Sequence, residues 1–318
     1  MVWFAKLLTR AIMSLSTMLR TTALRAPSAL ALLSPKHQVS MTYDELNAKI
    51  TQLAGGLREL GVRPGDAVVS DVPNVCENLV LQFAVSHLGA MFVTAKDAAS
   101  LASKVGAVRC AVVNQPGPSW LWELAQERTD QQLPPLLLDT GDGLPDGFLS
   151  FEELTNHAED AMDAVASDSV PFASYNGSAM PQAQALTLGR EAAAALGSSP
   201  TDRTCVSITL CHSFGLGSGV GSALVGGGAI VLPAADGIRG CGDPKQRAAV
   251  TAEVLRESAS TLLFADTHII KNMEGGSGGE MPLRGGLVKV SSGTEIFDTG
   301  VAYAGVALQS IGKKPSPS

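Results

Sequence analysis

The chain has 318 residues, a net charge of −7, 45% hydrophobic and 17% charged residues, and 33 glycines. That length buries a large core as one big domain or two modest ones, in the manner of an ordinary α/β protein. The negative balance, with no basic stripe after residue 50, excludes a nucleic-acid partner, because nothing is placed to displace counterions from a phosphate backbone. The five cysteines, Cys76, Cys110, Cys205, Cys211 and Cys241, are widely spaced and form no C-x-x-C pair. They point to reduced, mostly buried thiols rather than to a zinc site or a disulfide framework.

In chain order, the first feature is a stretch free of acid. No Asp or Glu precedes Asp44, while Lys6, Arg10, Arg20, Arg25 and Lys36 all do. Phe4, Leu7, Leu8, Ala11, Ile12, Leu15, Met18 and Leu19 recur at helical spacing on one face. Residues 1–40 therefore read as a mitochondrial-targeting-like amphipathic extension, with 1–33 available to a membrane surface. An ordinary amphipathic helix packed on the domain is the open alternative. Lys6 and Arg10 interrupt any secretory core, and no run of about 20 apolar residues makes a membrane span.

A helix opens after Thr42, which has Glu45 three residues on to complete a capping box, and carries the stripe Leu46, Ile50, Leu53, Leu57, Leu60 up to Gly61. Ala67–Ser70 reads as a strand, Leu79–Leu88 as a buried helix closed by Gly89, and Met91–Thr94 as the next strand. A further helical piece ends near Val105, and Cys110–Val113 is again a strand. Loops follow at 114–118 and 139–147, and Leu154–Val170 is acidic and exposed in character. Beyond it, Val206–Leu210, Ala229–Leu232 and Leu262–Ala265 read as strands, Ala248–Glu257 as a helix, and Gly275–Gly279 as a flexible connection. Short continuous apolar strands alternating with helices imply largely parallel sheets covered on both faces. The expected architecture is two stacked α/β subdomains, at 41–170 and 171–318, behind the extension at 1–40.

Thr42-Tyr43-Asp44-Glu45-Leu46, Leu53-Ala54-Gly55-Gly56-Leu57, Leu60-Gly61-Val62-Arg63-Pro64-Gly65-Asp66, Asn74, Ala84 and Gly89-Ala90 run in a recognisable order. His212-Ser213-Phe214-Gly215, Ala229-Ile230-Val231-Leu232-Pro233 and Leu283-Arg284-Gly285-Gly286 continue it. Together these resemble the adenylate-forming superfamily of acyl-CoA synthetases and peptide-synthetase adenylation domains, over roughly residues 41–312. The resemblance implies the N-terminal domain of an acyl-CoA synthetase, with His212, Phe214 and Gly215 beside an acyl pocket.

Members of that family grip ATP with a loop reading approximately Ser-Gly-Thr-Thr-Gly-x-Pro-Lys-Gly. The matching stretch here is Ser174-Tyr175-Asn176-Gly177-Ser178-Ala179-Met180-Pro181-Gln182-Ala183. Gly177 and Ser178 survive as a remnant, Gln182 takes the lysine position, and Ala183 takes that of the following glycine. A phosphate loop needs tight glycine turns to aim N–H groups and a cation to neutralise charge. Losing one charge-assisted contact costs about 1.5–3 kcal/mol, so triphosphate affinity is expected to be poor. The family's later adenine, ribose and C-terminal lysine motifs do not occur up to Ser318, and Gly293-Thr294-Glu295 mimics one of them out of place.

Other candidates each have a plainer reading. His212 lines an acyl pocket or is a half-buried histidine at a strand end. Gly215, Gly217, Gly219, Gly221 and Gly226–Gly228 cradle a ligand or permit close packing. Ser213 lacks a nucleophile elbow. Cys211 fits a core thiol. Asp71, Glu77, Asp97 and Glu159-Asp160 lack metal-ligand spacing. The expectation is a catalytically inactive acyl-CoA synthetase-like protein with no catalytic residue, metal or cofactor. It would be an accessory subunit among the other subunits of a mitochondrial, inner-membrane-associated complex of respiratory or ATP-synthase type. The alternatives are an acyl-CoA ligase using ATP and Mg, or a non-reactive acyl- or CoA-binding module.

Overall fold

The computed structural model describes residues 14–94, 108–114, 121, 123, 136–138, 148–159, 171–175, 178–234, 242–273 and 281–314. The first elements are α1 (Leu15–Arg25), β1 (Leu30–Ser34), β2 (Val39–Thr42), α2 (Tyr43–Glu59), β3 (Ala67–Ser70), α3 (Cys76–His87) and β4 (Met91–Thr94). Then come β5 (Val108–Asn114), β6 (Leu136–Leu138), β7 (Leu149–Ser150), α4 (Phe151–Thr155), β8 (Pro171–Tyr175), β9 (Ser178–Pro181) and α5 (Gln182–Leu196). After β10 (Arg203–Val206), a π-helical segment Phe214–Val220 leads to α6 (Gly221–Gly226), β11 (Ala229–Val231), α7 (Pro244–Glu257), β12 (Leu262–Asp266) and α8 (Thr267–Asn272). The chain closes with β13 (Gly285–Lys289), β14 (Glu295–Phe297), β15 (Ala302–Tyr303), β16 (Val306–Ala307) and β17 (Gln309–Gly312).

The chain divides into two units: Met1–Thr21 with Asn47–Asp71 and Val80–Leu186, and Thr22–Leu46 with Val72–Leu79 and Thr187–Ser318. This differs from the sequence-based boundaries at 40 and 170, because α2, α3 and α5 each cross from one unit to the other. The difference begins early. Leu15, Leu19 and Ala23 of α1 are buried, and β1 lies parallel to β11 inside the second unit's sheet, with β2 antiparallel on its edge. Residues 14–40 are thus built into the fold rather than appended to it, while 1–13 lie outside the described residues.

Among the described residues, the first unit's sheet has the order β7-β6-β5-β3-β4-β8-β9, parallel throughout except for the β8–β9 pair. The second unit's sheet has the order β14-β17-β13-β12-β10-β11-β1-β2, with antiparallel strands only at its two edges. Every residue of β3 and β11 is buried, as expected of strands covered on both faces. The α/β architecture with largely parallel sheets is therefore as the sequence implies. No helix among the described residues is long and apolar enough to cross a membrane.

Several local expectations are met and others corrected. Thr42 and Glu45 form the reciprocal cap, with Thr42 N–H donating to Glu45 Oε2 at 2.7 Å and Glu45 N–H to Thr42 Oγ1 at 3.3 Å. The buried helix runs Cys76–His87, starting three residues earlier than read and spanning just over three turns. Of the stretch 154–170, Leu154 and Thr155 are buried with Phe151 on α4, which Ser150 and Glu153 cap reciprocally, Asn156, Ala158 and Glu159 are exposed, and 160–170 lie outside the described residues. The Ser-x-x-Glu spacing at 150–153 carries that signal. The strand expected at Val206–Leu210 ends at Val206 instead, and Asn74 takes up the freed backbone. Its amide donates to Ile208 O at 2.8 Å and accepts from Leu210 N–H at 2.9 Å. The piece ending near Val105, the loops at 115–118 and 139–147, and Gly275–Gly279 lie outside the described residues.

The opposite edge of the second sheet is held by Asp202, just before β10. Its carboxylate is buried and accepts from Arg284 Nε at 2.8 Å, Arg284 Nη2 at 2.7 Å, Thr261 Oγ1 at 2.7 Å, Ser199 N–H at 2.8 Å and Ser199 Oγ at 2.9 Å. Arg284 also donates to Leu196 O and Gly197 O at the end of α5, at 2.7 and 3.0 Å. Burial alone would raise the Asp202 pKa, but the bonds from Arg284, Thr261 and Ser199 outweigh it and hold the carboxyl well below the usual range. A depressed folded-state pKa stabilises the fold above the ordinary carboxylate pKa, and that contribution fades as pH falls below about 4. Arg284→Ala is expected to lower the unfolding free energy by roughly 2–3 kcal/mol, less than a fully buried pair because the guanidinium is partly exposed. Arg284→Lys should recover only part of it, since an ammonium cannot reproduce the fork. Urea midpoints of the two variants at pH 7 check this.

Candidate functional site

The first unit carries the phosphate-loop remnant. β8 and β9 pair antiparallel in the register Ala173↔Met180, Ser174↔Ala179 and Tyr175↔Ser178, so only Asn176 and Gly177 intervene, both outside the described residues. Asn-Gly between two extended runs is the strongest short-range hairpin signal, and sequence reading of the loop missed it. Ser178 and Ala179 are exposed on the edge strand, Met180 is buried, and Gln182 starts α5.

Gln182 is 2% exposed, and its Nε2 donates to Ser86 Oγ at 2.8 Å. Ser86 Oγ in turn shares a 2.8 Å hydrogen bond with Ser16 Oγ, while Gln182 Oε1 is buried without a partner. The residue at the expected cation position is thus an interior amide. Between Pro171 and Ala183 there is no Lys or Arg, and the next cation, Arg190, is more than two turns into α5.

The second unit places a different set of groups together. From β10 the chain leaves towards β11 on one side, and from β12 it leaves towards β13 on the other. In open α/β sheets ligands bind at such a reversal, outside the carboxyl ends of the strands. Here those ends carry Ser207 after β10, Asp266 closing β12 and Lys289 closing β13. Asp266 caps α8 by accepting from Ile269 N–H at 2.9 Å and lies 3.5 Å from Arg247 Nη1. Arg247, nearly fully buried on α7, also donates from Nη2 to Ser207 O at 2.8 Å, and Ser207 Oγ hydrogen-bonds Thr251 Oγ1.

Phe214 forms the apolar part of this edge, packed on Phe264 with ring centroids 5.8 Å apart, and the Lys289 ammonium stands 5.9 Å from its ring centroid. Gly215 follows because nothing larger fits: a Cβ there would lie 2.0 Å from Thr209 O. His212 is half-buried, and its carbonyl accepts from Leu216 N–H at 3.1 Å to start the π-helical turn. Burial pushes the His212 pKa down to about 4; Lys289 and Arg247 add to the depression and Asp266 opposes it. The imidazole is therefore neutral at physiological pH.

The structure places His212, Phe214 and Gly215 in the second unit, at the start of the π-helical segment. Gly177 lies outside the described residues, and Ser178 belongs to the first unit. Arg247, Asp266 and Lys289 were not singled out by sequence. Asp266 ends the apolar run Leu262–Ala265 and Lys289 interrupts Leu287–Val290, and a charge at the end of a buried parallel strand is the signal that could have found both. Among the described residues, no group of three or more His, Cys, Asp and Glu is arranged to hold a metal ion. Cys76, Cys110 and Cys205 are buried cysteines in no disulfide and Cys211 is half-buried; burial pushes Cys76 up to about 12.

Comparison with known proteins agrees with this architecture. Residues 19–110 match the family described as AMP-binding enzyme. Triostin synthetase I of Streptomyces triostinicus is 36% identical over 140 residues, which is 42% of this chain and 23% of that protein. The 2-hydroxy-7-methoxy-5-methyl-1-naphthoate–CoA ligase of Streptomyces carzinostaticus is 40% identical over 78 residues, 24% of this chain and 14% of that one. Among solved structures, the anthranilate CoA ligase AuaEII in complex with anthranoyl-AMP superposes with a TM-score of 0.71 at 19% identity, covering 94% of this chain and 59% of that one. The chain spans under a quarter of these curated relatives and little over half of the solved ligase. The match to the AMP-binding enzyme family is confined to residues 19–110, and the chain as a whole has the fold of the N-terminal part of acyl-CoA and aryl-acid ligases.

One consequence of the His212 environment is directly measurable. A histidine whose folded pKa is depressed takes up its proton more readily in the unfolded chain, so stability is lost as pH falls from about 6.5 towards 4. Unfolding free energies from urea titrations across that window should fall for the wild type by up to about 1.4 kcal/mol per pH unit from this residue, and His212→Gln should flatten the slope by that amount.

Proposed function

We propose that this chain is a domain of the adenylate-forming ligase type whose second unit binds a carboxylic acid of aromatic or acyl character. The acid would lie at the carboxyl ends of β10, β12 and β13, and the chain would not by itself activate it with ATP. The observation that carries the first half is the convergence of neutral His212, the Phe214 ring and the Arg247–Asp266–Lys289 charges at the strand-order reversal. The names of the naphthoate and anthranilate ligases, both of which take aromatic acids, support the aromatic class. The second half rests on Gln182 being an interior amide bonded to Ser86.

A second reading is motivated by the acid-free stretch before Asp44: an accessory subunit of a mitochondrial, inner-membrane-associated assembly. In that reading any removable address ends before Ser14, because cleavage near residue 40 would strip β1 and β2 from the second sheet. Co-migration with a large complex on native gels of mitochondria would support it, and its absence would remove it.

The acid-binding reading is tested by ATP–pyrophosphate exchange alongside NMR detection of benzoate binding. Benzoate should perturb Phe214 and His212 signals, while exchange stays at background. Robust magnesium-dependent exchange by the wild-type chain would overturn the second half. Gln182→Lys with Ala183→Gly should not restore exchange. It should cost about 1–3 kcal/mol of stability, because an ammonium would replace an interior amide hydrogen-bonded to a serine.

A further inference from the structure

We propose that Lys289 is the residue that recognises the carboxylate of the bound acid, so that the site selects its ligand as an anion lying beside an aromatic face. The inference rests on the acid-binding reading above and names the group that confers it.

The geometry is specific to this lysine. Lys289 closes β13 after the buried pair Leu287 and Val288, and the register pairs it with Asp266 on β12 and Ile311 on β17. Asp266 is the obvious counter-ion, yet its carboxylate serves Arg247 and the Ile269 N–H instead. The lysine extends elsewhere: its ammonium donates to Gly293 O and lies 5.9 Å from the Phe214 ring centroid. Glu295 and Asp298, the acids nearest along the chain, accept from Lys314 N–H and Gly300 N–H. No carboxylate among the described residues lies within ion-pair distance of Lys289.

The charge balance follows. Arg247 and Asp266 offset one another, His212 is neutral, and Lys289 leaves one uncompensated positive charge at a half-buried position. Burial pushes its pKa down with no acid to oppose it. The ammonium of this partly buried lysine is held by a carbonyl and a ring face and has no carboxylate partner among the described residues, and a bound carboxylate would supply the opposite charge. The same carboxylate, if attached to an aromatic ring, would bring that ring to Phe214.

The experiment uses the full chain labelled with 13Cε-lysine, with benzoate and its neutral isostere benzamide as probes. At saturating benzoate the Lys289 pKa should rise, whereas benzamide should leave it unmoved. Lys289→Gln should weaken benzoate roughly tenfold to a hundredfold and leave benzamide unaffected, and Lys289→Arg should retain most of the benzoate affinity. Benzoate that binds with perturbed Phe214 and His212 signals, but with an unmoved Lys289 and undiminished affinity in Lys289→Gln, would overturn the inference and leave the acid-binding reading intact. Failure of benzoate to perturb Phe214 and His212 at all would overturn both. Should Lys289→Gln fail to fold, the wild-type Lys289 titration decides alone.

Discussion

Five hydrogen bonds converge on the Asp202 carboxylate, from Arg284, Thr261 and Ser199, and they fix where the second unit's parallel strands begin. Asp202 precedes β10, Thr261 precedes β12 and Arg284 precedes β13, so one buried charge joins the amino-terminal ends of three adjacent strands. Arg284 adds the last carbonyls of α5 to the same node. A carboxylate so placed is stable only while each of these donors stays in position, because an unpaired buried charge costs several kcal/mol. The backbone continues the restraint, with Ala229 N–H bonding Asp202 O and Thr261 N–H bonding Arg203 O.

Pinning one edge leaves the other edge to chemistry. Side chains at the carboxyl ends of the same strands are Ser207, whose N–H bonds Phe264 O, and Asp266 and Lys289, which the register of β12 with β13 pairs. Only glycine fits where the two strands pack: a Cβ at Gly286 would lie 2.1 Å from Leu263 O, and the parallel register of β12 with β13 sets Asp266 opposite Lys289. Gly215 acts similarly, letting the π-helical turn press against Thr209 and present Phe214 to Phe264. The arrangement separates a rigid amino-terminal edge from a charged and aromatic carboxyl-terminal edge, the division that open α/β sheets use for ligand sites.

The first unit keeps its sheet while the segment matched to a phosphate loop is built into a hairpin. A phosphate-binding loop needs slack backbone and a solvent-facing cation, whereas here the β8–β9 ladder pairs residues as far as Tyr175 and Ser178. Gln182, with no charge to keep it in water, turns inward to Ser86 and Ser16. Its buried, unpartnered Oε1 marks an imperfect replacement, a cost of about 1–3 kcal/mol that the surrounding packing offsets. Fold and site are separable in this way because the sheet's stability comes from buried strands such as β3, not from the loop at its edge.

The sequence by itself determined the alternation of helix and buried strand, the Thr42–Glu45 cap, the interior thiols and the resemblance to adenylate-forming enzymes, because each is written in local periodicity or in a short motif. Tertiary structure alone decided that α1 and β1 belong to the fold, since helical spacing cannot say whether an apolar face meets a membrane or a core. It alone made Gln182 an interior amide and joined Arg247, Asp266 and Lys289 at one edge. Those three residues lie 19 and 23 positions apart along the chain, and only the parallel register of β12 with β13, beneath α7, makes them neighbours.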